Sequence, residues 1–335
     1  MDLVLSSQVT QSLLPRVLST LLFALFFFSG RSTSAQEARP WGGALVPPPQ
    51  TEQSEEDYYA NAHPYLDEPL KSLGKEIPEL RKVQPAAGQQ PLLEILEKTA
   101  ANVDGFFHDI VDLIAEEKIT QERSTGLGNA KVRVQDSYLI VHDDNQSDVL
   151  EYRMDAEGKR LDQRGMNRGY LLTVGFALIC NYFSTVSQPE SRFRYLGTEK
   201  VGPREAYVVA FAQKPGHATQ FVTMVGRKGT TVNMLVQGIA WVDKDNFQIV
   251  RMRTNLLAPH LEIDLDRQTT EVTFSSVQLH DVATAFWLPS DVKVFLSFKE
   301  YDSAHRPFYT ISFKNEHRYT DYRRYRVSVK MLPPN

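Results

Sequence analysis

Histidine is the side chain best suited to moving protons near neutral pH, and none of the eight in this sequence falls in a spacing that makes a site. HxH, HxxxH and HExxH are all missing, so neither a strand nor a helix presents two imidazoles to one zinc ion. His142 precedes Asp143 and Asp144, and His280 precedes Asp281, which on paper are bases beside orienting carboxylates. Acidic residues belong at a strand end beside a turn in any case, so neither pair reads as catalytic. Glu262, Asp264 and Asp266 alternate along a strand pattern and offer oxygen ligands to calcium. Counted from Glu262, the position where a calcium loop needs glycine holds Arg267, and a solvated strand face is the better reading. There is no GxSxG elbow and no GxxxxGK[ST] phosphate loop. Asn145-Gln146-Ser147 matches a glycosylation acceptor, a triplet frequent by chance.

The single cysteine, Cys180, excludes an internal disulfide and a cysteine-based zinc site, and its apolar neighbours make it a small core residue. The chemistry-bearing residues therefore predict no catalytic group, no metal and no cofactor: the protein is expected not to be an enzyme. A net charge of −4 offers no basic field for nucleic acid. With 42% hydrophobic residues the chain can build a core large enough to dispense with disulfides, so one cysteine does not argue against export.

The elements that must hold any binding site come next. Val17 to Phe28 reads VLSTLLFALFFF, with Arg16 before it and Ser32-Thr33-Ser34-Ala35 after it. A positive flank, a short apolar centre and small residues are the parts of a secretory signal, and cleavage is expected after Ala35. The run is too short for a membrane span of about 20 residues, so no stable transmembrane anchor is expected. Residues 36–90 hold the Pro47-Pro48-Pro49 and Glu55-Glu56-Asp57 runs and read as a Pro-rich, acidic, disordered or loosely docked linker. The island from Asp57-Tyr58-Tyr59 to Tyr65-Leu66 is the part able to pack on the domain or meet a partner.

A single domain is expected over 91–335. Pro91 opens a helix in which Leu92, Leu93, Leu96, Ala100, Val103 and Phe107 recur at three and four residues, running to about Asp112. From Lys131 the period becomes two. KVRVQDSYLIV and VLEYRM form a hairpin about Asp143-Asp144-Asn145. Further hairpins flank Gly202-Pro203 and the run Asp243 to Asn246. Leu261, Ile263 and Leu265 are expected to face inward on another strand, and two more long strands follow. Tyr170 to Tyr182, apolar on nearly every side, predicts a buried helix lying on the sheet. Lys314 to Lys330, rich in arginine and tyrosine, reads as an ordinary outer strand face.

Two segments carry a resemblance. Tyr195 to Val209 (YLGTEKVGPREAYVV) and Ala240 to Arg251 (AWVDKDNFQIVR) are similar to a strand pair and a hairpin of the periplasmic lipoprotein-carrier superfamily. The whole of about 91–330 resembles uncharacterised secreted bacterial proteins with the same two segments. The resemblance implies a mainly β (α+β) fold: a strongly curved antiparallel sheet, or unclosed half-barrel, with helices covering its concave face. It implies a periplasmic or secreted protein that binds a lipid, a lipoprotein acyl group or another hydrophobic ligand in the concavity. Phe176, Ile179 and Phe183 of the apolar run, and Val292, Val294 and Leu296 of a late strand, are the candidate lining. That reading fails if a structure shows the barrel interior solidly filled by its own side chains. The alternative is an interaction or sensing module that docks another envelope protein.

Overall fold

A computed structural model describes residues 25–29, 54–143, 148–161, 173, 175–225, 231–301 and 307–325. Twelve strands form one antiparallel sheet. In chain order its longer members are β3 (Leu113–Thr125), β4 (Gly128–Asp143), β5 (Asp148–Met154), β7 (Ser191–Val201), β8 (Arg204–Gln213), β11 (Val236–Asp243), β12 (Ile249–Leu256), β13 (Leu265–Val277), β14 (Phe286–Tyr301) and β15 (Pro307–Arg324). Two-residue strands, β2 (Gln84–Pro85) and β6 (Arg160–Leu161), stand at its two edges. Neighbours in sequence pair as hairpins, and β15 pairs with β3, which joins the later hairpins to the earlier ones without closing a barrel. A separate three-stranded sheet holds β9 (Gln220–Val225), β10 (Thr231–Met234) and β1 (Leu25–Ser29), the last lying inside the segment read as a leader. The remainder of that leader, and residues 36–53, lie outside the described residues.

The sheet curls, and the chain's own reach shows it. The backbone N–H of Phe176 is hydrogen-bonded to Glu151 on β5, while the Phe183 ring meets Phe211 on β8. Eight strand spacings separate β8 from β5. At about 4.8 Å each these make about 38 Å in a flat sheet. The link from Phe176 to Phe183 is mostly 3-10 helix (Leu178–Phe183), which advances only about 2 Å per residue. It spans the gap only if the two strands bend toward one another. The fold is therefore a half-barrel of strands, as expected.

Alternation sends one set of side chains to each face. The inner face carries an apolar cluster of Leu113, Tyr138, Phe211, Met252, Val272, Leu288 and their neighbours, covered by helix α3 (Leu92–Asp109) and by Phe176 to Phe183. The outer face of β7, β8, β11 and β12 carries Leu196, Val208, Ala210, Ile239, Trp241 and Val250, which form a second cluster.

That second cluster shows where the described part of the 36–90 segment lies, and the island from Asp57 to Leu66, read as able to pack on the domain, belongs to it. Residues 54–85 form a strap, with helices α1 (Glu55–Tyr59) and α2 (Leu70–Glu76), that buries Tyr59, Tyr65, Leu66, Leu73, Ile77, Leu80 and Val83 on the outer face. The composition is linker-like, but the few apolar residues are spaced to meet a sheet that is apolar on both faces. Local composition does not reveal that second face. The strap's end pairs Gln84 and Pro85 with Thr198 and Gly197. Gly197 has φ +141, and a Cβ there would lie 1.9 Å from the Gln84 carbonyl oxygen, so only glycine admits this pairing. The same glycine belongs to the first resemblance segment. The two segments also touch: Trp241 Nε1 donates to buried Glu199 at 2.7 Å, and Arg204 donates to Asp243 at 2.7 Å. These contacts tie the two segments to one another.

Two expectations fail locally. Where a helix was expected over Tyr170 to Tyr182, the described part holds Gly175 at φ +93 followed by a 3-10 turn. A left-handed glycine cannot continue a right-handed helix. Leu261 is 52% exposed in a short 3-10 turn, and β13 begins only at Leu265. Asp264, at φ +60, reverses the chain there.

Candidate functional site

The inner face of the half-barrel is where the predicted lining residues converge. Val292, Val294 and Leu296 point inward from β14, and Phe176, Ile179 and Phe183 project from the crossing segment. All six are at most 2% exposed and belong to one cluster. Phe183 packs against Phe193 and Phe211 with centroids 5.2 and 5.5 Å apart, and Tyr182 lies 5.4 Å from Phe211. At the other end Phe176 meets His317, edge to face, at 5.1 Å. The segment is therefore a plug that fills the concavity with the chain's own side chains. A cavity standing open for an acyl chain is not what this conformation presents.

Beneath the plug lies a polar constellation that alternation alone did not single out. Glu117 points inward from β3, between Ala115 and Ile119. Its Oε1 accepts from Arg153 Nη2 at 2.7 Å, His317 Nδ1 at 2.8 Å and Tyr319 OH at 2.6 Å. Arg153 Nε donates to Oε2. Burial alone would raise this carboxyl, but Arg153 and the hydrogen bond from His317 outweigh it and hold it at about 2. His317 is pushed below the ordinary histidine range, chiefly by burial. An ionised Glu117 only accepts, so Nδ1 carries the imidazole proton and Nε2 is left as an acceptor. The signal was in the sequence: period two on LIAEEKIT puts Glu117 in register with Leu113, Ala115 and Ile119. On the C-terminal strand the same period sets His317 and Tyr319 inward with Phe313, which corrects its reading as a plain outer face.

A second carboxylate holds the plug. Glu151 accepts from the backbone N–H groups of Gly175 (3.0 Å), Phe176 (2.8 Å) and Leu178 (2.7 Å), and from Tyr138 OH. Its burial raises its pKa, and these bonds offset only part of the rise. Cys180, as expected, is a buried core residue; burial pushes its thiol up to about 12, out of the nucleophilic range.

Openings near this interior are small or lie at its rim. A crevice of about 20 Å³ beside Val103, Phe106, Cys180 and Trp287 has room for roughly one water. A shallower cleft of about 430 Å³ runs between α3 and the loop after the plug, lined by Leu96, Ala100, Thr185, Gln188 and Phe193. Leu93 and Val186, 68% and 60% exposed, belong to the two elements that border this cleft, α3 and the loop after the plug.

The other chemistry-bearing groups scatter. Glu262 bonds His260 and Tyr58, and Asp266 bonds Lys299, so these two carboxylates are committed to separate partners. Asp281 pairs with Arg324. The His142–Asp144 group and the Asn145–Ser147 triplet lie outside the residues whose side chains are described. Among the described residues no cluster of His, Cys, Asp or Glu has metal-binding geometry, and no helix is long and apolar enough to cross a membrane.

No family model matches the chain, and no curated protein matches it. Among solved structures the chain is similar to a DUF1329 family protein from Desulfovibrio piger, at 12% identity and a TM-score of 0.32 over 72% of this chain and 95% of that one. It is also similar to a putative outer membrane lipoprotein-sorting protein domain from Vibrio parahaemolyticus, at 13% identity and a TM-score of 0.31 over 69% of this chain and 91% of that one.

Proposed function

We propose that the protein is a non-enzymatic periplasmic or secreted carrier that takes a lipid, a lipoprotein acyl group or another hydrophobic ligand into the half-barrel when the plug withdraws. The filled interior rules out a cavity standing open for the ligand, so the reading is of a carrier that must open first. What supports it is how the plug is fastened, an apolar segment crossing the inner face with its N-terminal end tied by three backbone hydrogen bonds to one carboxylate, Glu151. Phe176, Ile179, Phe183, Val292, Val294 and Leu296 would then exchange contact with one another for contact with the ligand. Exposing the three plug side chains costs about 5–9 kcal/mol, and each methylene buried returns about 0.8 kcal/mol. A chain of about ten methylenes therefore balances the exchange.

Native mass spectrometry of the mature protein, purified without detergent, tests this alongside analysis of an organic extract. A stoichiometric lipid adduct supports the carrier. A bare polypeptide mass, together with no uptake of a fluorescent fatty acid or acylated peptide by Glu151→Ala, defeats it. The second reading, an envelope interaction or sensing module, is favoured by the exposed Leu93 and Val186 beside an open apolar cleft. Stoichiometric capture of one envelope protein, abolished by Leu93→Ser/Val186→Ser, is its signature.

A further inference from the structure

The outer face of β12 to β15, beyond the edge of the strap, bears a groove of about 320 Å³ that includes Glu76 at the end of α2. Cross-strand pairing arranges its floor in two neighbouring rows. One row reads Arg253, Glu271, Lys293, Glu316; the next reads Asn255, Thr269, Phe295, Lys314. Arg267 completes the cationic side.

The charges in this groove are unequally committed. Glu271 is taken up by Arg251 and Arg253. Arg267, Lys293 and Lys314 have no ion pair among the described residues, although Lys314 lies within the field of Glu122, which Lys131 already holds. Beyond the committed Glu271, these three cations share the groove with two carboxylates, Glu76 and Glu316, which leaves one positive charge in excess. Deeper in, Asn255 is 8% exposed and donates through Nδ2 to Thr269, while its Oδ1 is buried without a partner among the described residues. Arg253 Nε is likewise buried and unpartnered. A buried polar atom left without a partner destabilises the fold, so a fold tolerates one where something else supplies the bond. Phe295 adds a half-buried aromatic surface beside these polar groups.

We infer that this groove binds an acidic sugar unit, a monosaccharide carrying one carboxylate or phosphate. The cations Arg267, Lys293 and Lys314 hold the acid group. Asn255 Oδ1, Glu316 and Glu76 accept from hydroxyls, and Phe295 supports the apolar face of the ring. The volume is at the small end for ligand clefts, which suits one sugar residue. A fatty acid finds too little apolar wall here, and a neutral sugar leaves the three cations unused. The site lies on the face opposite the plug and is independent of the carrier reading.

Isothermal titration of the full mature protein with glucuronate and with glucose 6-phosphate tests it, with glucose and inorganic phosphate as controls. At least one acidic sugar is expected to bind saturably, at least about tenfold tighter than either control, and more weakly as salt is raised. Lys293→Gln/Lys314→Gln, at exposed positions, is expected to keep the thermal midpoint and lose at least about tenfold in affinity. No saturable binding of either acidic sugar overturns the inference, leaving a water-filled groove. Equal binding of a control, or unchanged affinity in the double variant, overturns it as well.

Discussion

Glu117 and Arg153 form an ion pair with neither partner more than 2% exposed, and burying two charges is favourable only when every lone pair and proton is used. His317 and Tyr319 do much of that work by donating to the same carboxylate. Glu117→Gln strands Arg153 in the core and is expected to lower stability by about 3–5 kcal/mol, read from urea unfolding midpoints. An effect below about 1 kcal/mol would mean that water reaches the pair. The same residues set a pH dependence. His317 is depressed in the fold, so the unfolded chain takes up its proton first, and stability begins to fall as pH drops below about 6.5. Glu117, held near 2, adds stability that is complete above its unfolded value and is lost as pH falls toward 2. Glu151 acts in the opposite sense: with a raised pKa it favours the folded form at low pH and less so as pH rises. His317→Gln keeps an N–H donor without titrating. Thermal midpoints of that variant are expected to lose the part of the decline that starts near pH 6.5, and identical curves would refute the assignment.

Among the elements, the plug and the strap are fastened differently. The plug packs through aromatic rings but depends for its backbone satisfaction on one carboxylate. Glu151→Ala leaves three N–H groups without an acceptor in the closed form, whereas water serves them once the segment lifts. Hydrogen exchange of residues 175–183 is expected to quicken at least about tenfold in this variant, while β13 and β14 stay protected. Uniform quickening would point to global destabilisation instead. The strap is pinned near its start by Tyr59, whose OH accepts from the Leu235 N–H at 3.0 Å and meets His260 Nε2 at 3.0 Å. His260 Nδ1 is in turn 2.8 Å from Glu262, and Tyr58 stacks on the His260 ring. Tyr59→Phe is expected to cost about 1–3 kcal/mol and to speed proteolysis within 54–85. A cleavage rate equal to that of the parent chain would show that apolar contacts alone hold the strap.

For the whole molecule, the two faces of the curled sheet need separate covers. Inside, α3 and the plug shield one cluster; outside, the strap shields the other. Trp241, Val208 and Ile239, fully buried beneath the strap, would meet water without it. A chain starting at Pro91, the start expected from the sequence for the folded domain, should therefore be poorly soluble or self-associate. A chain starting at Gln36 should remain monodisperse. Light scattering of the two distinguishes the cases, and a monodisperse 91–335 would show the strap to be dispensable.

Period-two alternation from Lys131 onward, with turn residues at Gly202-Pro203 and Asp243 to Asn246, was enough to specify the antiparallel hairpins, because these pairings are local and each turn fixes its own register. The same alternation placed Val292, Val294 and Leu296 inward. What pairs with what at long range was decided only by tertiary structure. Nothing local joins β15 to β3, sends residues 54–85 across the outer face, or brings Glu117 to Arg153 and His317, since each depends on how far the sheet curls. The apolar run ending at Tyr182 shows both limits together. Its composition fixed its burial, and its shape followed from a glycine in the left-handed region and a carboxylate contributed by a distant strand.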